Sequence, residues 1–215
     1  MSLLMSTQTD DLAIILTDTL VVTSDYEPHS HRHKVWTLPH MNMVIAMTGT
    51  PELGDIWHSH IVNIAGARDI EELNTIAAQS LRDIHELLEQ RYGDAGESTV
   101  QHFGFATGSD KLTRYSYSSK HDYEPEVFSG VRLQAKPVPP GFDFQIQSVS
   151  GIPESIEEMV DIALRLRDEN HRRLSTDGVP IGGDLFATSI SDWNIQTARL
   201  REFPHDGALD ATRQA

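Results

Sequence analysis

Cysteine is absent from the 215-residue sequence. Disulfides, thiolate metal sites and a cysteine nucleophile are therefore excluded, and serine, threonine and histidine chemistry remain. Long apolar runs are also missing, because none approaches the roughly 20 residues that a membrane span requires. The N-terminus has no cationic segment followed by an apolar core, which is the pattern of a signal peptide. We therefore expect a cytoplasmic protein with neither an anchor nor a signal peptide.

Positive charge is scarce as well. The sequence has 17 Lys and Arg residues against 32 Asp and Glu residues, which gives a formal charge of −15. This surplus of negative charge repels phosphate backbones and anionic lipid surfaces, so we expect neither nucleic acid nor a membrane as a partner. A chain of this length forms one ordinary globular domain with a sizeable core.

The hydrophobic pattern alternates between strand-like and helical periods. Runs of branched and apolar residues predict two consecutive strand pairs, 12–16 with 19–24 and 34–38 with 41–49. Capping residues followed by a helical stripe predict three helices, which start at Thr50, Asp69 and Ser155. Further strands are expected around the third helix, including one at 126–133, and 142–150 reads as a strand or an extended loop.

The order of these elements is strands, two helices, strands, one helix and strands. Helices grouped between runs of antiparallel strands predict an α+β architecture with two sheets between helical layers. We expect an N-terminal extension without structure at 1–8, a single domain at 9–204 and a flexible tail at 205–215.

Several polar residues stand at the ends of the predicted strands. Thr9 precedes the first strand. Asp25 lies sixteen residues after Thr9, at the end of the second strand. Lys34 opens the third strand, and Gly49 lies in the segment TGTPELGD, where the fourth strand gives way to a helix. The segment IGGDLFATSI at 181–190 places two glycines before a late strand.

This succession resembles the proteasome β-subunit branch of the N-terminal nucleophile (Ntn) hydrolases, over roughly residues 9 to 195. The resemblance implies a four-layer αββα sandwich and a threonine-type amide or peptide hydrolase without a cofactor. It also implies a peptide or small amide substrate and assembly into homo-oligomers through helical surfaces.

The resemblance assigns roles to particular residues. Thr9 would be the nucleophile, and its own α-amine or Lys34 would be the proton acceptor. Asp25 would polarise the Thr9 hydroxyl. The backbone N–H of Gly49 would hold the oxyanion of the tetrahedral intermediate. Weaker matches add two further candidates to the catalytic set, Ser129 and Asp177.

Two other functions remain open from the sequence. Thr9 is followed by Asp10 and Asp11, whose charges would raise the pKa of an adjacent amine, so the chain could be a catalytically silent structural subunit of the same fold. A metal-binding module is the second alternative, because His29, His31 and His33 alternate and would share one face of a strand.

Overall fold

The structure is a computed structural model that describes residues 2–23, 27–146 and 148–203. These ranges contain twelve strands, in chain order β1 (Leu4–Gln8), β2 (Leu12–Asp18), β3 (Leu20–Val22), β4 (Pro28–His31), β5 (Val35–Leu38), β6 (Met43–Thr48), β7 (Thr99–Phe105), β8 (Leu112–Ser118), β9 (Glu126–Phe128), β10 (Arg132–Lys136), β11 (Asp184–Ser191) and β12 (Asn194–Glu202). They also contain three α-helices, α1 (Pro51–His60), α2 (Ile70–Tyr92) and α3 (Ile156–Arg172).

The strands form two five-stranded antiparallel sheets and one short hairpin. The first sheet has the order β10-β1-β2-β11-β12, the second has the order β5-β6-β7-β8-β9, and β3 pairs only with β4. Helix α3 covers the outer face of the first sheet, and α1 and α2 cover the outer face of the second. The predicted α+β four-layer αββα sandwich is confirmed.

Three apolar clusters hold the four layers together. Neighbouring residues of β1 show the arrangement, because Met5 packs on the α3 side and Leu4 packs between the sheets. Phe103 of β7 meets Leu4 in the layer between the sheets. Trp57 of α1 is fully buried in the cluster under the helical layer of the second sheet.

The three helices begin where the sequence predicts. The Asp69 carboxylate accepts hydrogen bonds from the N–H groups of Glu71 and Glu72, at 3.0 and 2.9 Å, at the start of α2. Ser155 caps α3 in the same way, and Thr50 stands before Pro51 at the start of α1. A five-residue π-helical segment prolongs α1 to Ala65.

The first strand differs from the expectation. Residues 4–8 form β1, which lies between β10 and β2 inside the first sheet, and are not an unstructured extension. All five residues of β1 are buried. A strand covered on both faces lacks polar and apolar alternation, so the sequence of this segment carries no strand period. The expected tail at 205–215 lies outside the described residues.

Other strand pairings also differ. β2 pairs with β1 and β11, and not with β3, so the first predicted hairpin does not form. The single strand predicted at 126–133 is split at Gly130, where a φ of 73° separates β9 in the second sheet from β10 in the first. No strand forms in the described residues of 142–150. A search of the described residues finds no helix that is long and apolar enough to cross a membrane.

Candidate active site

A buried ion pair lies where β2 ends and β5 begins. Lys34 Nζ is 2.5 Å from Asp18 Oδ1 and 2.7 Å from the carbonyl oxygen of Leu20. The Asp18 side chain is fully buried and that of Lys34 is 8% exposed. Burial lowers the pKa of Lys34, and this effect outweighs the attraction of the Asp18 carboxylate. The neutral amine is therefore easier to form here than on a surface lysine.

Asp18 is held from three directions. Its Oδ1 accepts a hydrogen bond from the N–H of Leu3 at 3.0 Å in addition to the contact with Lys34, and its Oδ2 accepts from the N–H of Gly182 at 3.1 Å. The segment before β1, the end of β2 and the two glycines before β11 thus meet at one carboxylate. Gly183 has a φ of 73°, and a Cβ there would collide with Thr19, so glycine is needed where the chain passes this close.

Ser2 precedes the residue that contacts Asp18. It is 5% exposed, and it lines a cavity of about 430 Å³ together with Gly49. Within the described residues the Ser2 hydroxyl has no hydrogen-bond partner. A hydroxyl that lines a cavity without a partner, on the residue before the one whose N–H shares the Asp18 carboxylate with Lys34, has the features of a nucleophile.

Gly49 forms the neighbouring wall of this cavity. Its φ is 112°, and a Cβ built there would lie 2.6 Å from Ser98 Cα, so no other residue fits the turn. The next amide in the chain, that of Thr50, donates to Ser98 Oγ at 3.2 Å. Gly49 therefore brings bare backbone to the cavity beside Ser2.

A second, small cavity adjoins the ion pair. It measures about 20 Å³, and Lys34, Gly49 and Trp36 contribute to its lining. The Trp36 ring lies so close to Gly54 of α1 that any Cβ at position 54 would collide with it. Trp36 is thus a large ring that lines the small cavity next to Lys34.

The structure separates the residues that the sequence proposes for catalysis. Lys34 and Gly49 lie together at the site. Thr9 lies in the turn after β1, where its hydroxyl is 2.6 Å from an Asp11 carboxylate oxygen. Six residues of extended chain separate Thr9 from Ser2, a distance of about 20 Å. Asp25 lies outside the described residues, and the partner of Lys34 is Asp18.

The two weaker candidates also lie away from Lys34. Ser129 is exposed, and the adjacent Gly130 faces Asp10 in the turn after β1, at the far end of the first strand. Asp177 is exposed beyond the end of α3, where its carboxylate pairs with Arg173 Nε at 2.9 Å. The hydrogen bond from Arg173 holds the pKa of Asp177 below its usual range. Neither residue contacts the ion pair.

Sequence reasoning missed Ser2 and Asp18, although a signal for them exists. Asp18 follows Ser2 by sixteen residues, which is the spacing used to choose Thr9 and Asp25. Lys34 follows Asp18 by another sixteen. The spacing alone fits both pairs, and burial separates them, because Ser2 is buried and Thr9 lies in an exposed turn.

The histidines in the described residues do not assemble into a metal centre. No group of three or more His, Asp or Glu side chains that could hold a metal ion occurs in the described residues. The Nδ1 of His31 lies 3.3 Å from Thr19 Oγ1. The ring of His33 packs edge-on against Phe186 at 4.4 Å. The geometry therefore does not support the metal-binding alternative for His29, His31 and His33.

Comparisons with known proteins bear on the fold. A scan against protein-family models finds no match, and a search of the curated proteins finds none either. Among solved structures, the chain is similar to Anbu (ancestral beta-subunit) from Yersinia bercovieri, with a TM-score of 0.62, 12% identity, and coverage of 93% of this chain and 88% of that one. It is also similar to the Anbu complex from Pseudomonas aeruginosa, described as a helical assembly, with a TM-score of 0.66 and 12% identity over 99% of this chain and 91% of that one.

These findings correct the family assignment. The identification of the chain as a divergent member of the proteasome β-subunit branch of the Ntn hydrolases is wrong, because no family model matches and the similar structures described above are Anbu proteins. At 12% identity, the likeness shows the fold alone. The chain has the proteasome-like fold that Anbu proteins share.

Proposed function

We propose that the chain is an amide or peptide hydrolase whose nucleophile is the Ser2 hydroxyl. The observation that carries this proposal is the buried Asp18–Lys34 pair, whose carboxylate also binds the N–H of Leu3, the residue after Ser2, and in which burial lowers the lysine pKa. A serine hydroxyl is a weak nucleophile at neutral pH and requires a base within reach. Pairs of serine and lysine supply this chemistry in other hydrolases.

Each group at the site has a defined task in this proposal. The neutral amine of Lys34 accepts the Ser2 hydroxyl proton as Oγ attacks the carbonyl carbon of the substrate. Asp18 positions Lys34 and does not touch the substrate, because its two oxygens are occupied by Lys34, Leu3 and Gly182.

Gly49 supplies the oxyanion contact. Its backbone faces the cavity shared with Ser2, and the neighbouring amide of Thr50 is already bound to Ser98. A fixed N–H directed at the developing oxyanion typically contributes about 10²–10³ in rate. Collapse of the intermediate transfers the proton from Lys34 to the departing amine, and water then hydrolyses the Ser2 ester.

A free α-amine on Ser2 would provide a second proton acceptor. It forms when the peptide bond between residues 1 and 2 is hydrolysed. The intact mass of the purified protein reports this cleavage directly. Lys34 can accept the proton without it, so the proposal depends on the hydroxyl of Ser2 and not on the amine.

The test compares three variants by their reaction with a β-lactone electrophile and by hydrolysis of fluorogenic peptide amides. Ser2→Ala and Lys34→Met are expected to abolish both labelling and hydrolysis. Thr9→Ala is the matched control, because it also removes a hydroxyl from the first segment but about 20 Å from Ser2. Loss of labelling in Thr9→Ala, or its persistence in Ser2→Ala, would exclude Ser2 as the nucleophile.

A non-catalytic role in assembly is the second candidate. It is favoured by the similarity to a protein described as a helical assembly, the Anbu complex from Pseudomonas aeruginosa. We propose that this chain also associates with copies of itself. Light scattering and negative-stain microscopy of the purified protein test this, and a monomer at micromolar concentration would contradict it. Assembly without any labelling of Ser2 would identify the silent alternative.

A further inference from the structure

We infer that the site selects substrates with a cationic group, an ammonium or a guanidinium, which the carboxylates of Asp94 and Glu97 receive. This inference rests on the proposed function of Ser2. It goes beyond that proposal because it names the charge of the substrate and the residues that recognise it.

The cavity at Ser2 has two walls of different chemistry. Residues 21–23 form one wall, which is apolar apart from Thr23. Residues 94–97, in the loop after α2, form the other. Asp94 and Glu97 are the charged residues among those that line the cavity in the described part of the chain. Among the described lining residues, a substrate bound to Ser2 therefore meets two carboxylates and no cation.

The acidic wall is fixed in place. Gly93 ends α2 with a φ of 86°, and Asp94 Oδ1 accepts a hydrogen bond from the N–H of Gly96 at 2.7 Å. The Thr50 hydroxyl donates to the carbonyl oxygen of Ala95, which ties this loop to the start of α1 beside Gly49. The second oxygen of Asp94 has no partner among the described residues.

Two carboxylates alone would not define a binding site. The independent observation is Ser2, a residue that is 95% buried and lines the same cavity, and whose hydroxyl has no partner in the described residues. The cavity is thus lined by the Ser2 hydroxyl and by negative charge on one wall. This juxtaposition favours a substrate whose scissile carbonyl reaches Ser2 while a cation reaches the loop.

Three lysines lie near enough to oppose or share this charge. Lys120 forms an ion pair with Glu97 at 2.9 Å, and both side chains are more than half exposed. Lys136 feels the charge of Glu97 but donates its hydrogen bond to Thr99. Lys34 is paired with Asp18. Asp94 is consequently the principal acceptor for a substrate cation, and Glu97 contributes in competition with Lys120.

The test uses matched fluorogenic amides that carry lysine, norleucine or glutamate at one position. Norleucine keeps the length of lysine without its charge. Each peptide is prepared with a free and with an acetylated N-terminus, which separates recognition of a side-chain cation from that of a terminal ammonium. The preference is the ratio of kcat/KM for the lysine and norleucine peptides, or for the free and acetylated forms.

Variants of the acidic wall and of Lys120 should change the preference for a cation in opposite directions. Asp94→Asn keeps the acceptor for Gly96 and should reduce the preference about fivefold, the effect of an ion pair in partial contact with water. Glu97→Gln should reduce it less. Lys120→Gln frees Glu97 and should increase it. Asp110→Asn, an exposed carboxylate in the β7–β8 turn, is the control and should leave it unchanged.

The outcomes separate this inference from the proposed function. Labelling of Ser2 and hydrolysis with equal kcat/KM for the lysine and norleucine peptides in both terminal forms would overturn the cation preference and leave the hydrolase intact. A preference that persists in the Asp94→Asn, Glu97→Gln double variant would likewise overturn the assignment to this wall. Failure of both labelling and hydrolysis would overturn the two proposals together.

Discussion

The Asp18–Lys34 pair can be tested by removing only the charge of the acid. Asp18→Asn leaves Lys34 buried without an anionic partner, and it also places an amide group where Oδ2 accepts from Gly182. Breaking a buried ion pair from one side typically costs about 3–5 kcal/mol, because an uncompensated charge remains in the interior. We expect the free energy of unfolding at pH 7 to fall by about that amount in urea denaturation followed by circular dichroism.

The shifted pKa of Lys34 also predicts the direction in which the free energy of unfolding changes with pH. The pKa of Lys34 is below its ordinary value in the folded protein, so the unfolded chain binds more protons between the two pKa values, and stability rises with pH across that window. Asp18→Asn removes the attraction that raises the lysine pKa. The pH range in which stability rises should therefore extend to lower pH in Asp18→Asn. More of the stability that this variant loses should return as the pH is raised.

A double-mutant cycle decides whether the two residues act as a pair. Asp18→Asn combined with Lys34→Met removes both charges, and buried pairs replaced in this way often cost less than the loss of one partner. The double variant should be more stable than Asp18→Asn alone. Strictly additive losses, or a loss below about 1 kcal/mol for Asp18→Asn, would refute the view that these charges are coupled in the folded protein.

Two further predictions concern substrate size and stability at low pH. Trp36→Ala should enlarge the cavity of about 20 Å³ beside Lys34 and raise kcat/KM for peptide amides with large apolar side chains relative to alanine; an unchanged ratio would show that the ring does not limit the substrate. His102 is fully buried, which lowers its pKa to about 3 from an ordinary 6.5, so the free energy of unfolding should fall by up to about 5 kcal/mol as the pH drops from 7 to 3. His102→Gln should flatten that part of the profile, and a slope equal to that of the parent protein would assign the acid sensitivity to other groups.

The helices and the layer order could be predicted because their signals are local. Asp69 and Ser155 accept hydrogen bonds from the first turns of α2 and α3, so the capping residues in the sequence are the capping residues in the structure. The turn between β5 and β6 at Pro39 is local in the same sense. Such features depend on residues three or four positions apart and need no knowledge of the rest of the fold.

The strand pairings could not be predicted, because their partners are remote in sequence. β2 is followed closely by β3, yet its second partner is β11, whose Phe186 pairs with Thr17. Adjacent runs of branched residues look the same whether they pair with each other or with distant strands. The break at Gly130 depends on two different sheets receiving β9 and β10, which is a property of the tertiary fold.

The candidate site depends on equally remote contacts. Lys34 and Gly49 were identified because each stands at the end of a strand that the sequence shows clearly. Asp18 lies between the predicted strands 12–16 and 19–24, and its Oδ2 accepts from Gly182 across 164 positions of sequence. No local pattern reports a hydrogen bond of that separation.

The choice between Ser2 and Thr9 follows from the first strand. Leu4 pairs with Thr17, and this register brings the residues before β1 to the end of β2, where Asp18 lies. The antiparallel turn after Gln8 carries Thr9 to the opposite end of the same two strands, where Asp11 takes its hydroxyl. Both residues stand sixteen positions before an aspartate, but only the register of β1 decides which of them can reach Lys34. A strand buried on both faces therefore has to be recognised before Ser2 can be proposed as the nucleophile, and that strand is the one whose sequence lacks a period.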